Sequence, residues 1–141
     1  MSHRLLSDAI VLADPQSGRC TDSGNMYPLV GISNPDTYTM TLRDWCKDWC
    51  AQVQPDKVIA IATQEGFNEC FCYFSSDDPP ADFGPTNDFL QKYEPDAGSV
   101  TVGGSFTGTG CVAGTNTDIS GFKCYRNCAY KQCVSIYACL S

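Results

Sequence analysis

At 141 residues the chain has room for one domain around one core, and splitting it would leave neither half enough to bury. Ten cysteines, an even number well above cytosolic usage, point to an oxidising compartment and five disulfides; a zinc protein is the weaker reading, because the one histidine is His3 and paired C-x-x-C knuckles are lacking. A formal charge of −7 with nine scattered basic residues argues against nucleic acid and anionic membrane surfaces, and no apolar run reaches the ~20 residues of a membrane-spanning helix.

Residues 1–19 read as an N-terminal arm that orders only against something else. Its apolar run, Leu5 to Ala13, is broken by Asp8 and too short for a secretion signal. Residues 20–141 then form the single domain, entered by the turn-rich Cys20-Thr21-Asp22-Ser23-Gly24 and an irregular stretch punctuated at Pro28, Gly31, Asn34 and Pro35. From Thr41 the pattern becomes helical: Leu42, Trp45, Cys46, Trp49, Cys50 and Val53 repeat at i, i+3, i+4, i+7, i+8 and i+11. Thr41 is the expected N-cap, Asp44 suits the first turn, and Pro55 stops the helix. The two tryptophans share the cysteine face, so they are expected to cover the bridges as core rather than to stack on a sugar.

Val58–Thr63 and Cys70–Phe74 are strand-prone, and Gln64–Glu69, with Gly66 in its middle, connects them as a hairpin. An acidic, proline-rich insertion at about 75–98 reads as a long irregular loop. Val100–Thr107 predicts a hairpin around Gly103 and Gly104. Cys124, Cys128 and Cys133 predict a stapled loop leading to a last strand at Val134–Tyr137.

The cysteine spacings carry the architecture. Four residues of helix rise about 6 Å and two residues of strand about 6.6 Å. Cys46 and Cys50 therefore share a helix face at the same pitch at which Cys70 and Cys72 share a strand face, and the expected rungs are Cys46–Cys70 and Cys50–Cys72. Closing the 46–70 loop is worth roughly 3–4 kcal/mol by loop-closure entropy. Cys20 is expected to pair with Cys124, Cys128 or Cys133.

Catalytic chemistry has little to draw on. His3 lies outside the cysteine framework, paired cysteines leave no thiolate, and Glu65 with Glu69 is the one compact Glu pair, more naturally a solvated face. Asp77, Asp78, Asp82 and Asp88, with Asn87, offer hard oxygens but lack the spacing of a calcium loop, so no metal and no cofactor is expected. Of the aromatics, Tyr27, Phe83, Phe89 and Tyr93 lie in loop-like sequence, which makes them the candidate ligand contacts; Tyr38, Tyr73, Tyr125 and Tyr130 complete the pool.

The order Cys20-Thr21-Asp22-Ser23, Met40-Thr41 opening a helix with Cys46 and Cys50, and Gly66-Phe67-Asn68-Glu69-Cys70-Phe71-Cys72 resembles a WSC domain, an extracytoplasmic cysteine-rich module with a PAN/apple-like fold. Cys124, Cys128, Cys133 and Ile136-Tyr137 are similar to the family's closing cysteines and final strand. The chain departs from that pattern at Tyr73 and at Val134-Ser135, where the family has glycines, and in two additional cysteines, Cys111 and Cys139, expected to pair with each other. The expected fold is therefore a small disulfide-rich α+β domain, one helix packed on a short antiparallel sheet with long cystine-pinned loops. The resemblance implies a secreted, non-catalytic recognition module for wall or matrix polysaccharide. The alternative is a structural subunit of an extracellular or luminal assembly, a filament, coat or complex, docking on other protein chains through its arm and long loops.

Overall fold

The computed structural model describes residues 9–21, 29–35, 38–75, 78–80, 99–103, 112, 114–117 and 120–130, with 99–103 and Val53 as backbone only. The fold is a disulfide-rich α+β domain. Among the described residues its strands are β1 (Gln16–Ser17), β2 (Arg19–Thr21), β3 (Leu29–Asn34), β4 (Val58–Gln64), β5 (Glu69–Phe74), β6 (Ser99–Gly103), β7 (Gly114–Asn116) and β8 (Phe122–Arg126), and its α-helix is α1 (Leu42–Val53). Six strands form an antiparallel sheet in the order β1-β8-β4-β5-β3-β6, while β2 and β7 pair as a small second sheet.

Helix α1 forms where the apolar spacing places it. Thr41 Oγ1 accepts the Asp44 amide at 3.2 Å, Asp44 lies in the positive first turn, and Pro55 opens a separate 3-10 turn after Val53. Leu42, Trp45, Cys46, Trp49 and Cys50 are all buried. The tryptophan rings stack at 6.0 Å between centroids, within the core as expected.

The large sheet is covered on both faces. On one side, α1 packs its tryptophans and cysteines against Val58, Ile61, Cys70, Cys72, Phe74 and Tyr125. On the other, Cys20, Val30, Ile59, Ala60, Ala62, Phe71, Tyr73, Phe122, Cys124 and Tyr130 form a second cluster. Strand β5 divides cleanly, with even residues 70, 72 and 74 toward the helix and odd residues 71 and 73 away. Strand β4 does not, because its register shifts between Val58 and Ala60, so Ile59 and Ala60 both join the far cluster.

Each face carries a cystine. Cys46 is bonded to Cys70 across the helix face, with Cα atoms 5.4 Å apart, and Cys20 is bonded to Cys124 across the other, at 5.3 Å. The second expected rung is not closed: Cys50 and Cys72 are buried free thiols. Matched rise is not matched rotation. Four residues overshoot a helical turn by about 40°, so Cys50 does not meet the strand at the angle Cys46 does. Cys128 is also disulfide-bonded; Cys111, Cys133 and Cys139 lie outside the described residues.

Other segments differ from the sequence reading. The stretch read as irregular contains β3, an inner strand in which Gly31 stands opposite Cys72 on one side and Val102 on the other. The segment read as an arm is tied to the sheet from Val11 onward. Ile10 is 1% exposed in the helix-face core, Cys128 donates its amide to Val11 at 2.7 Å, Ala13 donates to Arg126 at 2.9 Å, and β1 extends the sheet beside β8. Gly18, at φ 109°, then turns the chain from β1 to β2; a Cβ there would lie 2.6 Å from the Asn116 carbonyl oxygen. Strand β6 pairs with β3, whereas the other arm of its predicted hairpin and the strand at 134–137 lie outside the described residues.

Candidate recognition surface

The β4–β5 connection presents Phe67 to solvent with 69% of its surface exposed, the most exposed large apolar side chain among the described residues. Tyr38 and Met40, on the chain entering α1, are also exposed, and Tyr38 reaches the same connection. An exposed aromatic on a slack loop would say little. This one is braced: Asn34 Nδ2 donates to the Phe67 carbonyl at 2.8 Å, Asn68 Nδ2 donates to the Pro35 carbonyl, and the Tyr38 hydroxyl donates to Asn68 Oδ1.

The turn itself runs as a 3-10 segment, Glu65–Phe67, closed by Asn68 in the left-handed region at φ 55°, ψ 46°. Asparagine tolerates that conformation better than most side chains, and its amide bonds here to neighbouring loops. Gly66, the expected pivot of the hairpin, has no positive φ. Its amide donates to Gln64 Oε1 at 3.1 Å.

Gln64, 3% exposed, couples this turn to a second feature. Its Nε2 donates to the Ser120 carbonyl at 2.7 Å, and Ser120 lines a cleft of about 370 Å³ with Ser17, Gly18, Thr117, Gly121, Phe122 and Lys123. Gly121, at φ 90°, lies so close that a Cβ would be 2.6 Å from Gln64 Oε1. Gln64 thus links the turn that carries Phe67 to the cleft that Ser120 and Phe122 line. Such a surface can stack on a flat apolar face and hydrogen-bond to the polar groups around its rim.

The remaining candidates fare differently. Tyr73, Tyr125 and Tyr130 are buried. Tyr27, Phe83, Phe89 and Tyr93, the contacts expected from sequence, lie outside the described residues, as do His3, Asp77, Asp82, Asn87 and Asp88. Asp78 forms an ion pair with Lys57, and the carboxylate's hydrogen bond raises the lysine pKa. Glu65 is exposed and Glu69 half-buried, at opposite ends of the turn. The sulfurs of Cys46, Cys50 and Cys70 lie within 4.8 Å of one another, but two of them are tied in the cystine. Sequence reading passed over Phe67 because its apolar character sits inside the hairpin signal; the cue was the neighbouring asparagines, Asn34 and Asn68, at turn positions on two different segments.

The chain matches no family model, and neither a curated protein nor a solved structure is significantly similar to it.

Proposed function

We propose that the chain is a non-catalytic extracytoplasmic recognition module, similar to WSC domains, that binds wall or matrix polysaccharide. The observation that carries this reading is the exposed Phe67, held on a hydrogen-bonded turn that Gln64 links to a small cleft. Pyranose rings offer an apolar face for stacking and equatorial hydroxyls for side-chain oxygens and amides. The Cys46–Cys70 and Cys20–Cys124 cystines are compatible with an oxidising compartment, and no helix among the described residues is long and apolar enough to cross a membrane. The order of cysteines on helix and strand supports the WSC-like reading. The assembly-subunit reading draws on the same exposed side chains and on docking through the arm and long loops, but from Val11 the arm bonds to its own sheet.

The test is co-sedimentation of the purified chain with insoluble glucan, chitin, xylan and cellulose, alongside Phe67→Ala. Retention on at least one polymer is expected, with the variant weakened by about 1–3 kcal/mol, the loss typical of a contacting aromatic anchor. No retention on any polymer, or unchanged retention of a folded Phe67→Ala variant, rejects the reading.

A further inference from the structure

We infer that Cys50 is a resolving thiol for the Cys46–Cys70 cystine, able to exchange with it inside the folded core. Three observations carry this. The Cys50 sulfur lies within 4.8 Å of both cystine sulfurs, a small approach away from contact. It is a free thiol on the same helix as Cys46, one turn further along. It also has a neighbour in Cys72, a second free thiol on the same strand as Cys70. One cystine and two thiols thus occupy a single buried cluster, all four residues at 0% exposure.

The exchange balances without an external oxidant. Cys50 loses its proton, and its thiolate attacks the Cys70 sulfur. The Cys50–Cys70 bond forms as the Cys46–Cys70 bond breaks, and Cys46 leaves as a thiolate that takes up a proton. The cystine count is unchanged, and the helix anchor moves by one turn. A following attack by Cys72 on Cys50 would release Cys70 and leave the Cys50–Cys72 pairing, again with no net oxidation. Thiolate, not thiol, is the nucleophile, so the proton on Cys50 is the gate. Burial, first, and then Cys72 raise the Cys50 pKa well above its usual value. The other titratable group packed in this core is Tyr125, with the Arg43 guanidinium over its ring at 5.5 Å; no charged side chain is buried among the described residues. Exchange is therefore slow near neutrality and accelerates with pH, about tenfold per unit while the thiol remains mostly protonated.

The experiment uses the intact chain without oxygen or added thiol. Samples held at pH 7, 8 and 9 are quenched in acid, denatured there, and labelled with an acid-compatible maleimide before peptide mapping. Label moving from Cys50 to Cys46 or Cys70, faster at higher pH and independent of protein concentration, is the expected result. In Cys50→Ser the cystine should stay in place and only Cys72 of the four should be labelled, with the variant's near-ultraviolet circular dichroism confirming that it is folded. Label confined to Cys50 and Cys72 at every pH overturns the inference. So does equal release of Cys46 or Cys70 in Cys50→Ser, or a rate that rises with protein concentration.

Discussion

Asn127 donates from Nδ2 to the carbonyl of Val58 at 2.7 Å, at the point where β4 slips register. The same residue completes the hydrogen bonding of three segments. Its backbone amide donates to Ile59, and its Oδ1 accepts the amides of Val11 at 2.9 Å and Ala129 at 3.0 Å. At 3% exposure water cannot replace these bonds freely. Asn127→Ala would strand a carbonyl and two amides where the N-terminal segment joins the sheet. The expected loss is about 3 kcal/mol in urea unfolding, with faster hydrogen exchange at Val11; a change below about 0.5 kcal/mol would show that the network is dispensable.

The two cystines should differ in worth. Cys46 and Cys70 are separated by 24 positions, whereas Cys20 and Cys124 are separated by 104. Loop-closure entropy values these at about 3.5 and about 4.7 kcal/mol. All four residues are fully buried or nearly so, which makes the packing loss on substitution similar. The double variant Cys20→Ala, Cys124→Ala is therefore expected to be the less stable by about 1 kcal/mol. Equilibrium unfolding of both double variants decides the order, and a reversed order would mean that native packing around the helix outweighs chain entropy.

Helix α1 was legible because its signals agree: cap, periodicity and proline stop all fall on one segment. Pitch alone predicted two rungs, of which Cys46–Cys70 is closed and Cys50–Cys72 is not. The strands were harder, since β4 is buried at all seven positions and so shows an apolar run instead of alternation. Gly31 reads as a breaker, yet an inner strand accepts it when both neighbours supply ladder bonds. The N-terminal segment was opaque because β1 has two exposed residues, and its place depends on Ile10 and Asn127, more than a hundred positions apart. The candidate surface around Phe67 was opaque for a similar reason. Phe67 is projected by bonds from Asn34, Asn68 and Tyr38, a contact set that exists only once β3, β5 and the chain before α1 come together.

Phe67 and Trp49 should separate binding from stability. Trp49 is 1% exposed between the helix and the sheet, and Trp49→Ala is expected to cost about 3–5 kcal/mol. Phe67 gives little packing, so Phe67→Ala should change unfolding free energy by less than about 0.5 kcal/mol. Thermal and urea melts of the two variants make the comparison. A large destabilisation by Phe67→Ala would make that ring part of the core and remove the basis for a recognition surface there.

Alkaline solution should weaken the fold in two stages. Burial raises the Cys50 pKa above that of the unfolded chain, so above about pH 8.5 the unfolded chain sheds a proton that the folded chain keeps. Stability from this source is full below that value and falls until the folded pKa is reached. The hydrogen bond from Lys57 to Asp78 raises the lysine pKa likewise, so its contribution is complete below about pH 10.4 and disappears as the ammonium titrates in the folded chain. Urea midpoints measured rapidly between pH 7 and 11 should fall first in the lower window and again in the upper. Cys50→Ala should start less stable but lose the first decline, and Asp78→Asn should lessen the second. A midpoint that stays level to pH 10 in the parent chain would mean that Cys50 titrates alike in both states, and that its burial does not hold the proton.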